Sequence, residues 1–412
     1  MIYKIKESLE LRLNLSYIAI QGLYWMIVCC TISLGSAYLS NRGYSTVGIG
    51  ALFAIAYLIA SILQQLISIE TDKSSRFNVL DVLAVLGAVL AVDLLFAVNT
   101  DAKGFGTGFT FLIAAMIATI MQPFLNALNF HIEKYDIKMN YGVARASGSF
   151  FFFIMSLLAG NLMKSISEKA APVLGLIVTI LFIANVFWIF KELKSTGKDL
   201  AKDYDPFQAA NDSSFDILDS DSIKLFIEKY KMFFIFLIGL MGFYFGHVLI
   251  NNFLYQITVN VGGDEADTGG LLAMQAIVEL PAMIFFTWLK DRFGSKLLLA
   301  FSAVFYFVKI FATTIATSVG MLYFSMIFQA LAFAVFIPAS VHFVDEIMSE
   351  KDAVKGQSFV TVAMTLSNLL SSLLGGILIR IIGVTASLWF GTVVTLCGVV
   401  VSIYGLVKIK QK

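Results

Sequence analysis

Long apolar blocks alternate with short polar stretches along the whole chain. Each block is close to the ~20 residues that a helix needs to cross a ~30 Å hydrocarbon core. The blocks are unbroken runs rich in Leu, Ile, Phe and Ala, unlike the short alternating strands of membrane β-barrels. The pattern predicts an all-α membrane protein with twelve transmembrane helices. The predicted spans are residues 12–39, 46–70, 79–98, 108–132, 142–164, 171–190, 232–258, 267–289, 297–317, 321–345, 356–379 and 384–407.

The composition excludes an ordinary soluble protein. Of 412 residues, 58% are hydrophobic and 14% are charged. Typical soluble domains are about 45–50% apolar and about 25% charged. The formal net charge is only +1, which gives no reason to expect a nucleic-acid partner. The expected surroundings are therefore the lipid bilayer.

The distribution of Lys and Arg predicts how the chain crosses the membrane. If the N-terminus is cytoplasmic, 22 of the 29 Lys and Arg fall on cytoplasmic segments and five on the other face. The other two, Arg145 and Lys309, lie within spans. Cytoplasmic loops carry an excess of these residues. We therefore expect a multi-pass protein of the cytoplasmic (inner) membrane with both termini in the cytoplasm. The first block is long enough to span, so we expect it to remain as helix 1 rather than be cleaved.

One polar stretch divides the chain into two halves. Residues 191–231 contain seven Lys, nine Asp or Glu and one Pro, with few apolar residues. Such a composition is typical of a solvated linker. We predict a six-helix bundle at residues 1–190, a cytoplasmic linker at 191–231, a second six-helix bundle at 232–412, and a central cavity. Secondary transporters are often built from such repeats, with the solute site near the midplane.

Similar charged turns follow the second and the eighth spans. Asp72 and Lys73 follow the second, and Asp291 and Arg292 follow the eighth. Together with twelve spans and a central linker, these turns make the chain resemble the major facilitator superfamily. In that superfamily the two turns carry an acidic and basic motif that helps hold the halves together on the cytoplasmic side. The resemblance implies a transporter that works by alternating access, and we expect neither enzymatic activity nor a cofactor.

Two charges inside apolar blocks are the main candidates for function. A charge at the bilayer centre costs about 2.5–3.5 kcal/mol on insertion scales, so such residues usually pair or line a water-filled pathway. Arg145 and Glu279 are these residues, one in each half of the chain. Polar residues at helical spacing mark further faces that we expect to point inward, with hydrogen bonds between helices as the alternative. The candidates for solute binding are Arg145, Glu279, Asn126, Asn129, Phe152, His247, Asn251 and Gln275.

A closer resemblance concerns the oligosaccharide/proton symporters, the lactose permease-like branch. The stretch from Tyr141 to Gly148 is similar to the start of that family's helix 5, whose arginine binds sugar hydroxyls. By this resemblance Arg145 binds solute and Phe152 stacks on it, Glu279 is the proton-linked glutamate, and Lys309 replaces an arginine near the proton site. The family's other site residues differ here. Asn126 stands at the position of the helix 4 glutamate, and Gln329 and Ala332 stand at those of the helix 10 histidine and glutamate.

The leading hypothesis is a secondary active transporter for a small polar organic solute, sugar-like or related. Proton-coupled symport is expected, with Glu279 and Lys309 as the coupling residues and a functional monomer. One alternative is a proton-independent facilitator or an exporter of amphipathic compounds. Another is a non-transporting receptor or assembly factor on the same scaffold. Cys29, Cys30 and Cys397 fall in apolar helices, where small buried thiols are ordinary, and we expect no metal site.

Overall fold

The computed structural model describes residues 2–73, 77–100, 103–197 and 220–409, which form helices joined by short connections. The helices of the first half are α1 (Ile2–Val28), α2 (Gly35–Asn41), α3 (Thr46–Lys73), α4 (Val79–Asn99), α5 (Phe105–Glu133), α6 (Tyr141–Ser165) and α7 (Ala170–Lys194). One turn of π-helix, Cys29–Ser33, joins α1 to α2. Most of the predicted linker, residues 198–219, lies outside the described residues.

The helices of the second half are more often broken. They are α8 (Ser220–Lys229), α9 (Lys231–Asn252), α10 (Leu254–Asn260), α11 (Glu265–Ile284), α12 (Phe286–Phe293), α13 (Ser295–Thr314), α14 (Val319–Ile327), α15 (Phe333–Ile347) and α16 (Glu350–Lys408). A short 3-10 turn, Phe328–Ala330, lies between α14 and α15. The axes of α11 and α12 differ by 56°, so these two helices form one bent span.

Local capping explains where several helices begin. Asn78 precedes α4, and its Oδ1 accepts a hydrogen bond from the Leu80 backbone N–H at 2.8 Å, while the Asp81 carboxylate accepts one from the Asn78 N–H at 2.9 Å. Asp264 and Asp267 form the same reciprocal arrangement at the start of α11. These capping boxes satisfy backbone donors that the first helical turn leaves without partners.

Long apolar helices confirm the predicted all-α membrane protein. Within the described residues, ten helices are long and apolar enough to cross a membrane, and the bent pair α11 and α12 makes eleven. One of the ten, Asp352–Lys408, has 57 residues. At 1.5 Å per residue it would extend about 86 Å, far more than one ~30 Å hydrocarbon core. It therefore supplies more than one span.

Contacts with α9 show that the first arm of α16 runs parallel to α9. Ser367 donates a hydrogen bond to the Met241 carbonyl at 2.9 Å, and Ser371 donates one to the Phe245 carbonyl at 2.9 Å. The second donor and the second acceptor each lie one helical turn after the first. The residue numbers therefore increase in the same direction along the two helices.

The second arm of α16 runs the opposite way along α9. Gly239 lies against Ser402, and Gly246 lies against Thr395, so the numbers increase in one helix as they fall in the other. The reversal occurs at Gly383, where φ is 81° and ψ is 171°. This backbone conformation is essentially restricted to glycine. Residues 350–382 and 384–408 are consequently two spans, which brings the total in the described chain to the predicted twelve.

The chain divides into two compact units. One comprises Met1–Gly43 and Ala56–Ser214, and the other comprises Tyr44–Ile55 and Phe215–Lys412. The first turns of α3 therefore belong with the second unit, whereas the predicted boundary places all of residues 1–190 together.

A close helix contact accounts for this placement of Tyr44–Ile55. The Thr46 hydroxyl donates a hydrogen bond to the Gly376 carbonyl at 2.9 Å. One turn further along α3, the Cα atom of Gly50 faces the Ser372 carbonyl so closely that a Cβ atom would overlap it. Small residues permit this kind of backbone approach between membrane helices.

In the first unit, Arg42 bonds to residues near the ends of three other helices. Its guanidinium is almost fully buried and pairs with the Glu168 carboxylate at 3.3 Å. It also donates to the Thr100 carbonyl at 2.7 Å and to the Thr107 hydroxyl at 3.2 Å. Arg42 therefore joins the ends of α2, α4, α5 and α7 and has a structural role.

Candidate functional site

Lys309 is a buried cation in the second unit. It lies in the C-terminal part of the apolar helix α13, and only 1% of the residue is exposed. Its Nζ atom donates to Oε1 of Gln275 at 2.9 Å and to Oε1 of Gln329 at 2.7 Å. An ammonium in apolar surroundings is stable only with such partners and a compensating charge.

Glu279 supplies the negative charge beside this lysine. It lies one turn after Gln275 on α11, so the two side chains share a helix face as predicted. Oε1 of Glu279 accepts a hydrogen bond from Nε2 of Gln329 at 2.8 Å. Gln329 therefore connects the two charged groups, with its carbonyl toward Lys309 and its amide toward Glu279. We call Gln275, Glu279, Lys309 and Gln329 the Lys309 cluster.

The break between α14 and α15 places Gln329 in the cluster. Gln329 lies in the 3-10 turn Phe328–Ala330, and its buried side chain bonds to Glu279 of α11 and to Lys309 of α13. The carbonyl and the NH₂ group of one amide can serve a cation and an anion at the same time. The cluster therefore gives both opposite charges hydrogen-bond partners from protein amide groups.

His247 lies in aromatic surroundings on α9. Its ring stacks on Phe333 with a centroid distance of 5.3 Å and an interplanar angle of 15°, and meets Tyr306 edge-on at 5.3 Å. Nδ2 of Asn251, one turn later, lies 3.0 Å from Nε2 of His247. An amide NH₂ is a donor, so Nε2 accepts, and a neutral His247 carries its proton on Nδ1. His247 also interacts electrostatically with Lys309.

Arg145 in the first unit is held by an aromatic ring. Its Cζ atom lies 4.5 Å from the centroid of the Trp25 ring on α1. Trp25 also meets Phe152 edge-on at 6.4 Å. No hydrogen bond or ion pair joins Arg145 to any residue in the described ranges. Sequence reasoning did not select Trp25, although an aromatic residue in α1 is a reasonable partner for a membrane cation.

The predicted asparagines of α5 do not bond to Arg145. Oδ1 of Asn126 accepts a hydrogen bond from the Tyr141 hydroxyl at 3.5 Å. Asn129 is buried, and its Oδ1 atom has no hydrogen-bond partner in the described part of the protein. The structure thus brings Arg145 and Phe152 together around Trp25 and leaves the two asparagines outside that group.

The predicted charged turns are described only in part. Asp291 is exposed and forms an ion pair with Lys290 at 3.3 Å, and the Arg292 guanidinium lies 5.7 Å from the Trp288 ring centroid. The side chains of Asp72 and Lys73 lie outside the described part of the chain. Within the searched residues, no group of three His, Cys, Asp or Glu side chains has the arrangement of a metal site.

A multi-span helical protein with buried charged residues inside its helices has the properties of a secondary transporter. The chain belongs to the MFS_1-like family, whose model matches residues 17–404. The predicted membership of the major facilitator superfamily is therefore confirmed, and the protein is a multi-pass membrane transporter rather than an enzyme. A comparison with curated protein sequences gives no match.

Solved structures share the fold over the whole chain. The nucleoside transporter NupG has a TM-score of 0.72 and 17% identity, covering 98% of this chain and 100% of that one. A bacterial homolog of the human lysosomal transporter Spinster, in an inward-facing and unoccupied conformation, has a TM-score of 0.69 and 12% identity, covering 97% and 98%. Tetrameric PepTSo2 has a TM-score of 0.62 and 12% identity, covering 97% and 98%. At these identities the likeness concerns the fold alone.

Proposed function

We propose that the protein is a proton-coupled symporter that moves a small polar organic solute across the cytoplasmic membrane. It acts as a monomer with both termini in the cytoplasm, in agreement with the excess of Lys and Arg on the segments assigned to that side. Solutes of the nucleoside and sugar classes are the first to test, because a nucleoside transporter shares the fold and the sequence resembles sugar symporters.

The observation that supports proton coupling is the Lys309 cluster. Glu279 is only 8% exposed and bonds to Gln329, which bonds to Lys309. Protonation of Glu279 would remove the charge that compensates Lys309 and weaken the charge-assisted hydrogen bond from Gln329. Lys309 would then be a poorly compensated buried cation, which is costly.

This cost gives the proton a way to change the conformation. The cluster joins α11, α13 and the turn between α14 and α15, so a change in its bonding alters the relative stability of different arrangements of these helices. A proton that binds one arrangement better than another shifts the population between them. Glu279 is thus the proposed coupling residue, and Lys309 is the group that senses its charge.

Solute binding is assigned to the residues predicted for it from the sequence, all of them polar except Phe152. In the first unit these are Arg145, Asn126, Asn129 and Phe152. In the second they are His247, Asn251, Gln275 and Glu279. The guanidinium of Arg145 is the strongest candidate among them, because its planar donors are suited to oxygen-bearing solutes and form no hydrogen bond in the described residues.

Transport in proteoliposomes tests the proposal. Purified protein would be reconstituted with an internal pH-sensitive dye, and uridine, glucose and the sugar acid glucuronate would be added separately. Wild type is expected to move protons inward with one of these solutes and to accumulate that solute when the outside is acidic. Glu279→Gln is expected to lose accumulation but to retain exchange of labelled for unlabelled solute.

The control is Glu133→Gln, at an exposed carboxylate near the end of α5, which is expected to behave as wild type. Normal uphill accumulation by Glu279→Gln would show that Glu279 is not the coupling residue. Solute equilibration by wild type without proton movement would instead identify a proton-independent facilitator.

A further inference from the structure

Three residues of α6 contact the indole ring of Trp25. Arg145, Gly148 and Phe152 follow one another at spacings of three and four residues, so they share one helix face. The Arg145 guanidinium lies over the ring, and Phe152 meets it edge-on. Gly148 lies against the ring so closely that a Cβ atom would overlap the indole. The indole thus contacts three residues of one α6 face, and the packing of α1 on α6 determines where the guanidinium lies.

This face of α6 points away from the apolar surface of the first unit. Ser149 and Ser156, which share the Arg145 face, are buried. The exposed apolar residues Ile154 and Leu158 lie on the opposite side of the helix, about 140–180° away at 100° per residue. Arg145 itself is only half-buried. Its charged group therefore lies on the protein-facing side while part of it stays accessible.

Arg145 has no acidic partner among the described residues. The Asn126 amide oxygen accepts a hydrogen bond from the Tyr141 hydroxyl at 3.5 Å and has no hydrogen bond to Arg145. The ring of Trp25 stabilises the cation through its π-electrons but occupies none of its N–H groups. The site therefore has a positive charge and five donors without a hydrogen-bond partner in the described ranges, and no carboxylate in those ranges pairs with it, although a charge within a membrane protein is usually paired.

We infer that the solute itself supplies this anion, so that the transported compound is a small organic acid, and that Trp25 is the residue that positions Arg145 to bind its carboxylate. A carboxylate accepts two parallel hydrogen bonds from a guanidinium, and such charge-assisted bonds are roughly twice as strong as neutral ones. A neutral solute would leave the arginine charge uncompensated. The inference rests on the proposed transport function and narrows its solute class.

Matched pairs of probes test the charge requirement. Glucuronate with glucose, and nicotinate with nicotinamide, each compare an acid with a neutral compound of similar shape. Binding would be measured by the emission of Trp25 in purified protein that carries Trp188→Phe, Trp288→Phe and Trp389→Phe, with thermal stabilisation as a second readout. An acid is expected to bind at least ten-fold more tightly than its neutral partner, and Arg145→Gln is expected to remove this preference. Equal or tighter binding of the neutral partners, or no binding of either acid, would overturn the inference.

Substitutions of Trp25 test its positioning role. A cation–π interaction of about 1–2 kcal/mol corresponds to a factor of about five to thirty in affinity. Trp25→Leu is expected to weaken acid binding by this factor, and Trp25→Phe to restore most of it, because a ring remains; since both variants lack the indole reporter, binding is measured by thermal stabilisation. Binding of the neutral probes should change equally little in both variants. If Trp25→Leu and Trp25→Phe bind the acid equally, the ring does not position Arg145.

A transport assay distinguishes the failure of this inference from the failure of the proposed function. Wild type that transports glucose or uridine in proteoliposomes but binds neither acid would refute the organic-acid class and retain the transporter. Wild type that binds nicotinate or glucuronate, but transports neither the acids nor the neutral compounds, would retain the anion site and refute the proposed transport.

Discussion

Lys309 and Gln329 are joined by a hydrogen bond of 2.7 Å from Nζ to Oε1. The amide of the same glutamine donates to Glu279, so a neutral side chain links a buried cation to a buried carboxylate. Gln275, one turn before Glu279 on α11, accepts a second hydrogen bond from Lys309. The three helical segments that meet here are consequently coupled through their side-chain charges, which leads to the first two predictions.

Removing only one charge of the pair is expected to destabilise the protein more than removing both. Lys309→Met leaves a buried carboxylate without its cation, and breaking a buried pair in this way costs about 3–5 kcal/mol. The double variant Lys309→Met with Glu279→Gln has no buried charge and is expected to unfold closer to wild type. Chemical unfolding of the two single variants and the double variant in detergent would measure the coupling energy. Additive losses would indicate that the two charges do not interact.

The glutamine bridge is expected to contribute to stability on its own. Gln329→Leu removes an acceptor from Lys309 and a donor to Glu279, and leaving a buried polar group unpaired costs about 1–3 kcal/mol, more for charged groups. Gln122→Leu, at an exposed position of α5, is the matched control and should change stability by about 0.5 kcal/mol or less. Equal melting temperatures for the two variants would argue against the bridge.

The contact between α3 and the first arm of α16 is expected to depend on Gly50. Gly50→Ala introduces a Cβ atom that overlaps the Ser372 carbonyl, and overpacking of this kind costs about 1–3 kcal/mol. Gly48→Ala, two residues earlier, meets only ordinary contacts at 3.6 Å and should be neutral or slightly stabilising, since alanine is the better helix former. Thermal unfolding of the two variants would compare them. A loss of stability in Gly48→Ala alone would contradict this packing.

The reversal at Gly383 is expected to require glycine for its backbone rather than for space. A Cβ atom at this residue would meet open space within 4 Å, yet the φ of 81° and ψ of 171° are unfavourable for any other residue by about 1–3 kcal/mol. Gly383→Ala should therefore lower stability. Gly320→Ala, inside α14, should not, because its backbone is helical. If both variants unfold as wild type does, the connection adopts another conformation in the membrane.

Much of the fold could be predicted because each membrane span is marked by its own run of apolar residues. A run of about 20 apolar residues is helical in a membrane since every backbone group must be bonded within the segment. The break predicted between residues 379 and 384 coincides with the reversal at Gly383. The placement of Tyr44–Ile55 with the second unit could not be read in this way, because it depends on a contact between residues more than 300 positions apart.

The residues of the candidate site that could be predicted are those whose charge is costly to place inside an apolar helix. Lys309 and Glu279 stand out because a charge in an apolar block needs a reason, and Gln275 shares the Glu279 face by helical spacing. Their roles in binding and coupling remain predictions. In the sequence, Gln329 is notable only because it stands at the position of the symporter family's helix 10 histidine. No pattern in the neighbouring residues indicates that it bonds to both charged groups. That contact depends on the 3-10 turn between α14 and α15.

The sequence by itself determined the membrane class, the helical spans and the unusual charges, because hydropathy and the cost of burying a charge depend on each segment alone. The tertiary structure decided which groups compensate those charges. The Arg145 guanidinium lies over the Trp25 ring, and Lys309 is joined to Glu279 through a glutamine. Partners of this kind come from other helices, and only the packing of those helices brings the side chains within bonding distance.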